Sequence, residues 1–174
     1  MRRDNPGTKL EVLVPDFEGN WEALQLVLDE RPDVLNHNTE TVPRLYRRVR
    51  NRADYARSLE LLRRAGEYRD RCHPAMFTKS GIMLGLGESL EEVRQALRDV
   101  REQGTDILTV GQYMRPTMKH LPVERYWSPE EFEGLRQEAL SLGYRFVEAG
   151  PLVRSPYHAG RHRAGAEGAC GHHS

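Results

Sequence analysis

An α/β fold with parallel strands, either part of a βα-barrel or an open sheet, is what this 174-residue sequence predicts, and three observations carry the prediction. Short apolar runs alternate with helical periodicity about four times along the chain, the pattern of right-handed βαβ units. Glycine and proline close the runs. Polar residues gather just beyond each strand, the end at which such folds carry their chemistry.

Taken in order, Leu10–Val14 is a short β-branched run ended by Pro15-Asp16. Asn20–Glu30 then sets Trp21, Leu24, Val27 and Leu28 on one helical face at spacings of three and four. Val34-Leu35 opens a second strand that runs into Asn36-His37-Asn38, and Tyr55–Tyr68 is a second amphipathic helix around Leu59, Leu61, Leu62 and Ala65. Lys79–Gly85 reads as a buried strand closed by Gly85-Leu86-Gly87. Ser89 and Glu92 form a capping box for a helix that reaches about Gln103 and stops at Gly104. Asp106–Val110 is a strand. Ser128-Pro129-Glu130-Glu131 supplies an N-cap, a proline at the first helical position and first-turn acids, so a helix to about Leu142 follows, closed by Gly143. Arg145–Ala149 is the last strand. One domain over residues 1–160 is expected, followed by a disordered tail over 161–174. In that tail and just before it, His158, His162, His172, His173 and Cys170 are too irregularly spaced to predict more than adventitious chelation.

Composition narrows the function classes. Charged residues are 30% of the chain, but 26 cations balance 26 anions, so no net field draws nucleic acid or an anionic membrane. No apolar run approaches the roughly 20 residues of a membrane helix, and the charged start Met1–Pro6 lacks the apolar stretch of a signal peptide. A cytoplasmic location is the expectation. Cys72 and Cys170 stand far apart and outside any CxxC or CxxxCxxC spacing, which excludes a zinc or iron–sulfur site made from this chain's cysteines alone. Only Lys9, Lys79 and Lys119 are lysines, the other cations being arginine.

Five segments, in order, are more specific. They are Val14-Pro15-Asp16-Phe17; Asn36-His37-Asn38-x-Glu40-x-Val42-x-Arg44-x-Tyr46; and Thr78-Lys79-Ser80-Gly81-x-Met83-x-Gly85-Leu86-Gly87-Glu88. Then come Gly111-Gln112-Tyr113 with His120-Leu121-Pro122-Val123, and Gly150-Pro151-x-Val153-Arg154-Ser155-x-Tyr157-His158-Ala159. Over residues 5–160 the chain closely resembles the lipoyl synthases, radical S-adenosylmethionine enzymes. The resemblance implies the C-terminal portion of a partial (βα) TIM-type barrel. It implies sulfur insertion at C6 and C8 of an octanoyl group held on a lipoyl-carrier domain or the glycine cleavage H protein. S-adenosylmethionine and two [4Fe–4S] clusters are the implied cofactors, with ferredoxin or flavodoxin as electron donor. Both cysteine motifs that hold those clusters in the family are absent from these residues, so the chain alone is expected to be inactive. The alternative is a non-catalytic remnant that still binds carrier or S-adenosylmethionine.

Carried onto this sequence, the resemblance assigns Ser155 as a cluster ligand, although Arg154-Ser155-Pro156-Tyr157 keeps only the first serine of the family's Arg-Ser-Ser-Tyr, and a turn serine is the plainer reading. Arg154 and Tyr157 belong to the cluster or substrate environment. Asn36, Asn38 and Glu40, two amides and a carboxylate at a strand end, suit ribose hydroxyls or the amino acid part of S-adenosylmethionine; an Asx turn is the alternative for Asn38. Arg44 suits the cofactor carboxylate bidentately. Gln112 is expected at the cofactor, and Arg115 and His120 at cofactor or carrier. Gly85–Glu88 suggests close backbone approach to the adenosine moiety. Lys79, early in its strand, suits an ion pair as well as a ligand, and Asp16 suits a cap.

Overall fold

The computed structural model describes residues 7–154. Five strands form one sheet in the order of the chain: β1 (Glu11–Leu13), β2 (Val34–Asn36), β3 (Phe77–Leu84), β4 (Ile107–Gln112) and β5 (Phe146–Gly150), every neighbouring pair parallel. A helix precedes each later strand: α1 (Trp21–Asp29) before β2, a short α2 (Tyr46–Val49) and long α3 (Tyr55–Cys72) before β3, α4 (Leu90–Glu102) before β4, and α5 (Pro129–Ser141) before β5. Sequential order with right-handed crossovers places the helices on one face of the sheet, the arrangement of an incomplete barrel wall.

Pleating divides the strand residues accordingly. Val12, Val14, Leu35, Ile82, Leu84, Leu108, Val110 and Val147 meet the helices in two apolar clusters. Glu11, Asn36, Lys79, Gly81, Thr109, Gly111 and Glu148 alternate with them and so belong to the helix-free face. The helix-free face is therefore polar at its floor and glycine-lined toward the C-terminal ends of β3 and β4.

The expected caps are present. Ser89 accepts from Glu92 N while Glu92 accepts from Ser89 N, and Ser128 and Glu131 repeat the box at α5. Gly104 and Gly143 follow their helices at positive φ. Several boundaries shift. α3 runs four residues beyond Tyr68, its last buried residue; within that extension Arg69 donates to Gly104 O (2.8 Å) and pairs with Asp106. β3 starts at Phe77, so Lys79 is its third residue, and β4 extends to Gln112, which belongs to a strand and not to the following loop. The turn Pro43–Leu45 and α2 carry no sequence expectation; buried Leu45 and Tyr46 hold them. No helix among the described residues is long and apolar enough to cross a membrane. The expected tail, Ser155 and Tyr157 lie outside the described residues.

Candidate functional site

A cavity of about 330 Å3 opens at the C-terminal ends of β3 and β4, lined by Asn38, Glu40, Gly81, Met83, Thr109 and Gly111, with Tyr113, Met114, Pro116, Val153 and Arg154 toward its mouth. Its polar side comes from the segment after β2. Beyond Asn36 that segment keeps contact with β3 through irregular bonds: His37 N donates to Lys79 O (3.0 Å), Glu40 N to Gly81 O (3.0 Å) and Met83 N to Glu40 O (2.8 Å). Glu40 adopts a left-handed backbone, φ 67°. The detour carries Asn38 and Glu40 across the inner side of β3 at Gly81. A Cβ at position 81 would stand 2.7 Å from Thr109 Oγ1 and 2.8 Å from Asn38 Oδ1, so a residue without a side chain is required there.

Asn38 Oδ1 is buried and accepts no hydrogen bond among the described residues. A buried amide oxygen left open costs about 1–3 kcal/mol. The hydroxyl oxygens of Thr41, Ser80 and Thr105 are open in the same way, but of these atoms Asn38 Oδ1 belongs to a residue that lines the cavity. Burial pushes the Glu40 carboxyl upward, while Arg50, 3.7 Å away, and the Asn38 amide pull it back. One open acceptor and one desolvated carboxyl therefore lie side by side, with the apolar Met83, Tyr113, Met114 and Val153 opposite.

Beneath the cavity the floor is closed. Lys79 is fully buried, and its Nζ reaches over β2 to Glu11 Oε1 at 2.9 Å; Asn36 Nδ2 donates to the same oxygen at 3.0 Å. Asn36 thus lies in the floor layer and not in the cavity lining, and Lys79 takes the ion-pair alternative. Burial also pushes His37 down, toward its neutral form, with Nδ1 2.9 Å from Val14 O.

Four expected site residues line the cavity: Asn38, Glu40, Gln112 and Arg154. The Gln112 carboxamide is nonetheless fully engaged by its own chain: Nε2 donates to Arg125 O (3.1 Å) and Tyr113 O (3.2 Å), and Oε1 accepts from Trp127 N (3.0 Å). Its parity on β4 turns the side chain toward the helices, which pins the loop 113–127. Arg44 sits outside the cavity on the turn before α2. It grips Glu92 with two bonds (2.6 and 2.9 Å) and Gly87 O with a third, and holds the Glu92 carboxyl down at about 2. Arg115 and His120 close a local turn, where Arg115 donates to the carbonyls of His120 and Met118, and His120 Nδ1 lies 2.9 Å from Thr117 Oγ1. Asp16 caps Glu18 N and pairs with Arg57.

The Gly85–Glu88 loop turns its amides inward. Glu88 accepts from Gly85 N, Leu86 N and Trp127 Nε1, so the two N–H groups expected at a ligand face their own carboxylate. The expectation for that loop came from its glycine spacing. Glu88 was legible there as a residue, but its partner Trp127 lies 39 positions away and only folding brings it in. Thr109 and Gly111 carried no expectation as lining residues; their signal is the strand period, which sets them on the face that bears Lys79 and Gly81.

Cys72, the cysteine within the described residues, is exposed at the end of α3. That helix leads into the start of β3, so Cys72 lies at the opposite end of the sheet from the cavity. No group of three or more His, Cys, Asp or Glu among the described residues can hold a metal. The donor set of these residues does not fit an iron–sulfur cluster, whereas the cavity's open amide oxygen and carboxyl fit a polar organic ligand.

Comparison with known proteins defines the class. The fold is similar to the TIM-barrel-like hydroxymethylglutaryl-CoA lyase from Pseudomonas aeruginosa, with a TM-score of 0.54 at 15% identity over 81% of this chain and 43% of the lyase. A sequence profile of the radical SAM superfamily matches residues 1–100, more than half of the chain. The chain belongs to the radical SAM superfamily. Within it, the similarity is to lipoyl synthases: 58% identity to that of Symbiobacterium thermophilum over 95% of this chain, 55% to that of Koribacter versatilis over 91%, and 53% to that of Rubrobacter xylanophilus over 98%. The chain spans about half the length of these relatives, 51%, 51% and 53% respectively.

Proposed function

We propose that these residues form the cofactor-facing wall of a lipoyl synthase, a cytoplasmic sulfurtransferase that inserts sulfur at C6 and C8 of an octanoyl group on a lipoyl-carrier domain or the H protein. The observation that carries the reading is the buried, open Oδ1 of Asn38 beside Glu40, at the barrel-rim end of a chain that matches lipoyl synthases at 53–58% identity. S-adenosylmethionine, when bound, supplies the adenosyl radical needed to break unactivated C–H bonds. Asn38 and Glu40 then hold its polar groups: the amide oxygen accepts from an N–H or O–H donor, and the carboxylate pairs with an ammonium or bridges hydroxyls. Arg154 brings positive charge to the mouth, while Tyr113 and Met83 exclude water from the apolar side.

Titration calorimetry with S-adenosylmethionine tests this reading. Asn38→Leu is expected to weaken binding about 10- to 100-fold by removing one buried acceptor, while Arg44→Gln, outside the cavity, leaves affinity within about twofold. Equal affinity for wild type and Asn38→Leu would remove Asn38 from the site.

A second reading, for these 174 residues taken alone, is a binding module without redox chemistry of its own. Cys72 and Cys170 are the cysteines of this sequence, fewer than the three or four thiolates a cluster takes. Anaerobic reconstitution of the 174-residue chain with iron and sulfide is expected to give no stoichiometric four-iron centre and no turnover of an octanoylated carrier. A stoichiometric cluster on these residues would overturn both the expectation and the geometric argument behind it.

A further inference from the structure

The mouth of the cavity carries cations that no carboxylate among the described residues pairs. Many arginines elsewhere meet carboxylate, as in Arg44–Glu92, Arg57–Asp16, Arg94–Glu138 and Arg136–Glu133, while Arg71 donates to the Glu67 carbonyl. From Gln112 to Val123, just ahead of Glu124, the chain carries Arg115 and Lys119, and after Glu148 the stretch from Ala149 to Arg154 carries Arg154. Arg115 donates to the carbonyls of His120 and Met118, and Arg154 to that of Val153 at 2.7 Å. Carbonyls satisfy donors without cancelling charge. Among the described residues none of these three cations has a carboxylate partner, in a chain whose formal net charge is zero.

The same rim exposes apolar side chains. Met114 is 52% exposed, Met118 81% and Leu152 83%. Met114 and Pro116 on one side, and Val153 and Arg154 on the other, are cavity lining, so rim and cavity form one continuous surface. The geometry points to this rim as the docking face for an acidic carrier domain, whose carboxylates meet Arg115, Lys119 and Arg154 while Met118 and Leu152 pack on its apolar surface. The domain's acyl-bearing side chain then enters the cavity along Met114, Met83 and Tyr113. This inference rests on the carrier substrate proposed above and adds which surface receives it. Three cations favour a protein over a membrane: polybasic membrane adsorption takes clusters of about four to eight, each contributing about 1 kcal/mol. Flexible methionines also suit a face that accepts more than one carrier.

The test uses the 174-residue chain, an octanoylated lipoyl-carrier domain and S-adenosylmethionine as separate ligands. Lys119→Glu/Leu152→Glu replaces two exposed side chains, one on each side of the rim. It is expected to weaken carrier binding at least tenfold at low salt, with the gap narrowing as salt rises, and to leave S-adenosylmethionine binding unchanged. Equal carrier binding by wild type and variant would overturn the docking face and leave the proposed function standing. Wild type that binds S-adenosylmethionine but no carrier would also overturn the docking face. Binding of neither ligand would take the proposed function down with it, and capture of the wild type by anionic vesicles in place of the carrier would replace the protein partner with a membrane.

Discussion

Gly85→Val is expected to destabilise the chain by about 4 kcal/mol or more, a loss that for a single substitution needs a specific mechanism. Two mechanisms act together. Gly85 holds φ +105°, beyond the left-handed region that other residues enter, which costs about 1–3 kcal/mol for a side-chain-bearing residue. The new Cβ would also stand 2.2 Å from Gln112 Nε2 and 2.5 Å from Arg125 O. Relief of that clash breaks the bonds by which Gln112 holds Arg125 and Trp127, and shifts the Gly85 and Leu86 amides away from Glu88. Gly134→Ala is the control. Gly134 lies inside α5 with nothing within 4 Å of its Cβ position, so alanine there is expected to stabilise by about 0.5–1 kcal/mol. Urea denaturation of both variants measures the contrast, and similar midpoints would show that the Gly85 loop bears no strain.

The second large effect is expected at the floor. Lys79→Met leaves Glu11, 12% exposed at its side chain, without its ammonium partner, and the expected loss is about 3–5 kcal/mol. The double variant Glu11→Leu/Lys79→Met removes both charges and is expected to recover most of that loss, because an apolar pair of similar volume avoids the desolvation that the ion pair must offset. Asn36, which donates to Glu11, keeps the recovery incomplete. If the double variant were as unstable as the single one, the pair would matter through its shape and not through its charge.

The proposed sulfur chemistry has a separate physical basis from the fold. The described residues offer an open amide oxygen, a desolvated carboxyl and an apolar wall, but their one cysteine stands at the far end of the sheet. Ligand positioning and cluster binding are therefore separable on this chain, and the calorimetric and reconstitution experiments read them independently.

The order of elements was legible because each is encoded locally. Ser89 with Glu92 is a capping signal complete within four residues, and Ser128-Pro129 with Glu131 is another. Leu24 with Leu28, and Leu61 with Ala65, state a buried face by spacing alone. Asn38 and Glu40, which line the cavity, were legible as polar residues beyond a strand end because a strand end exposes polar groups at a fixed place. Gln112 and Arg44 carried the same signal at the sequence level, but long-range partners decide their positions: Arg125 and Trp127 engage the first, and Glu92 the second. Asn36 ends β2 and Asn38 lies two residues on, in the irregular segment that crosses β3, and the bond of Asn36 to Glu11 in the floor separates floor from cavity. By itself the sequence determined the alternation of strands and helices, their caps and the family's ordered segments, since backbone propensity and side-chain period act over a few residues. Only the tertiary structure decided which polar groups remain open to a ligand, because that depends on what the rest of the chain, dozens of residues away, has already bonded.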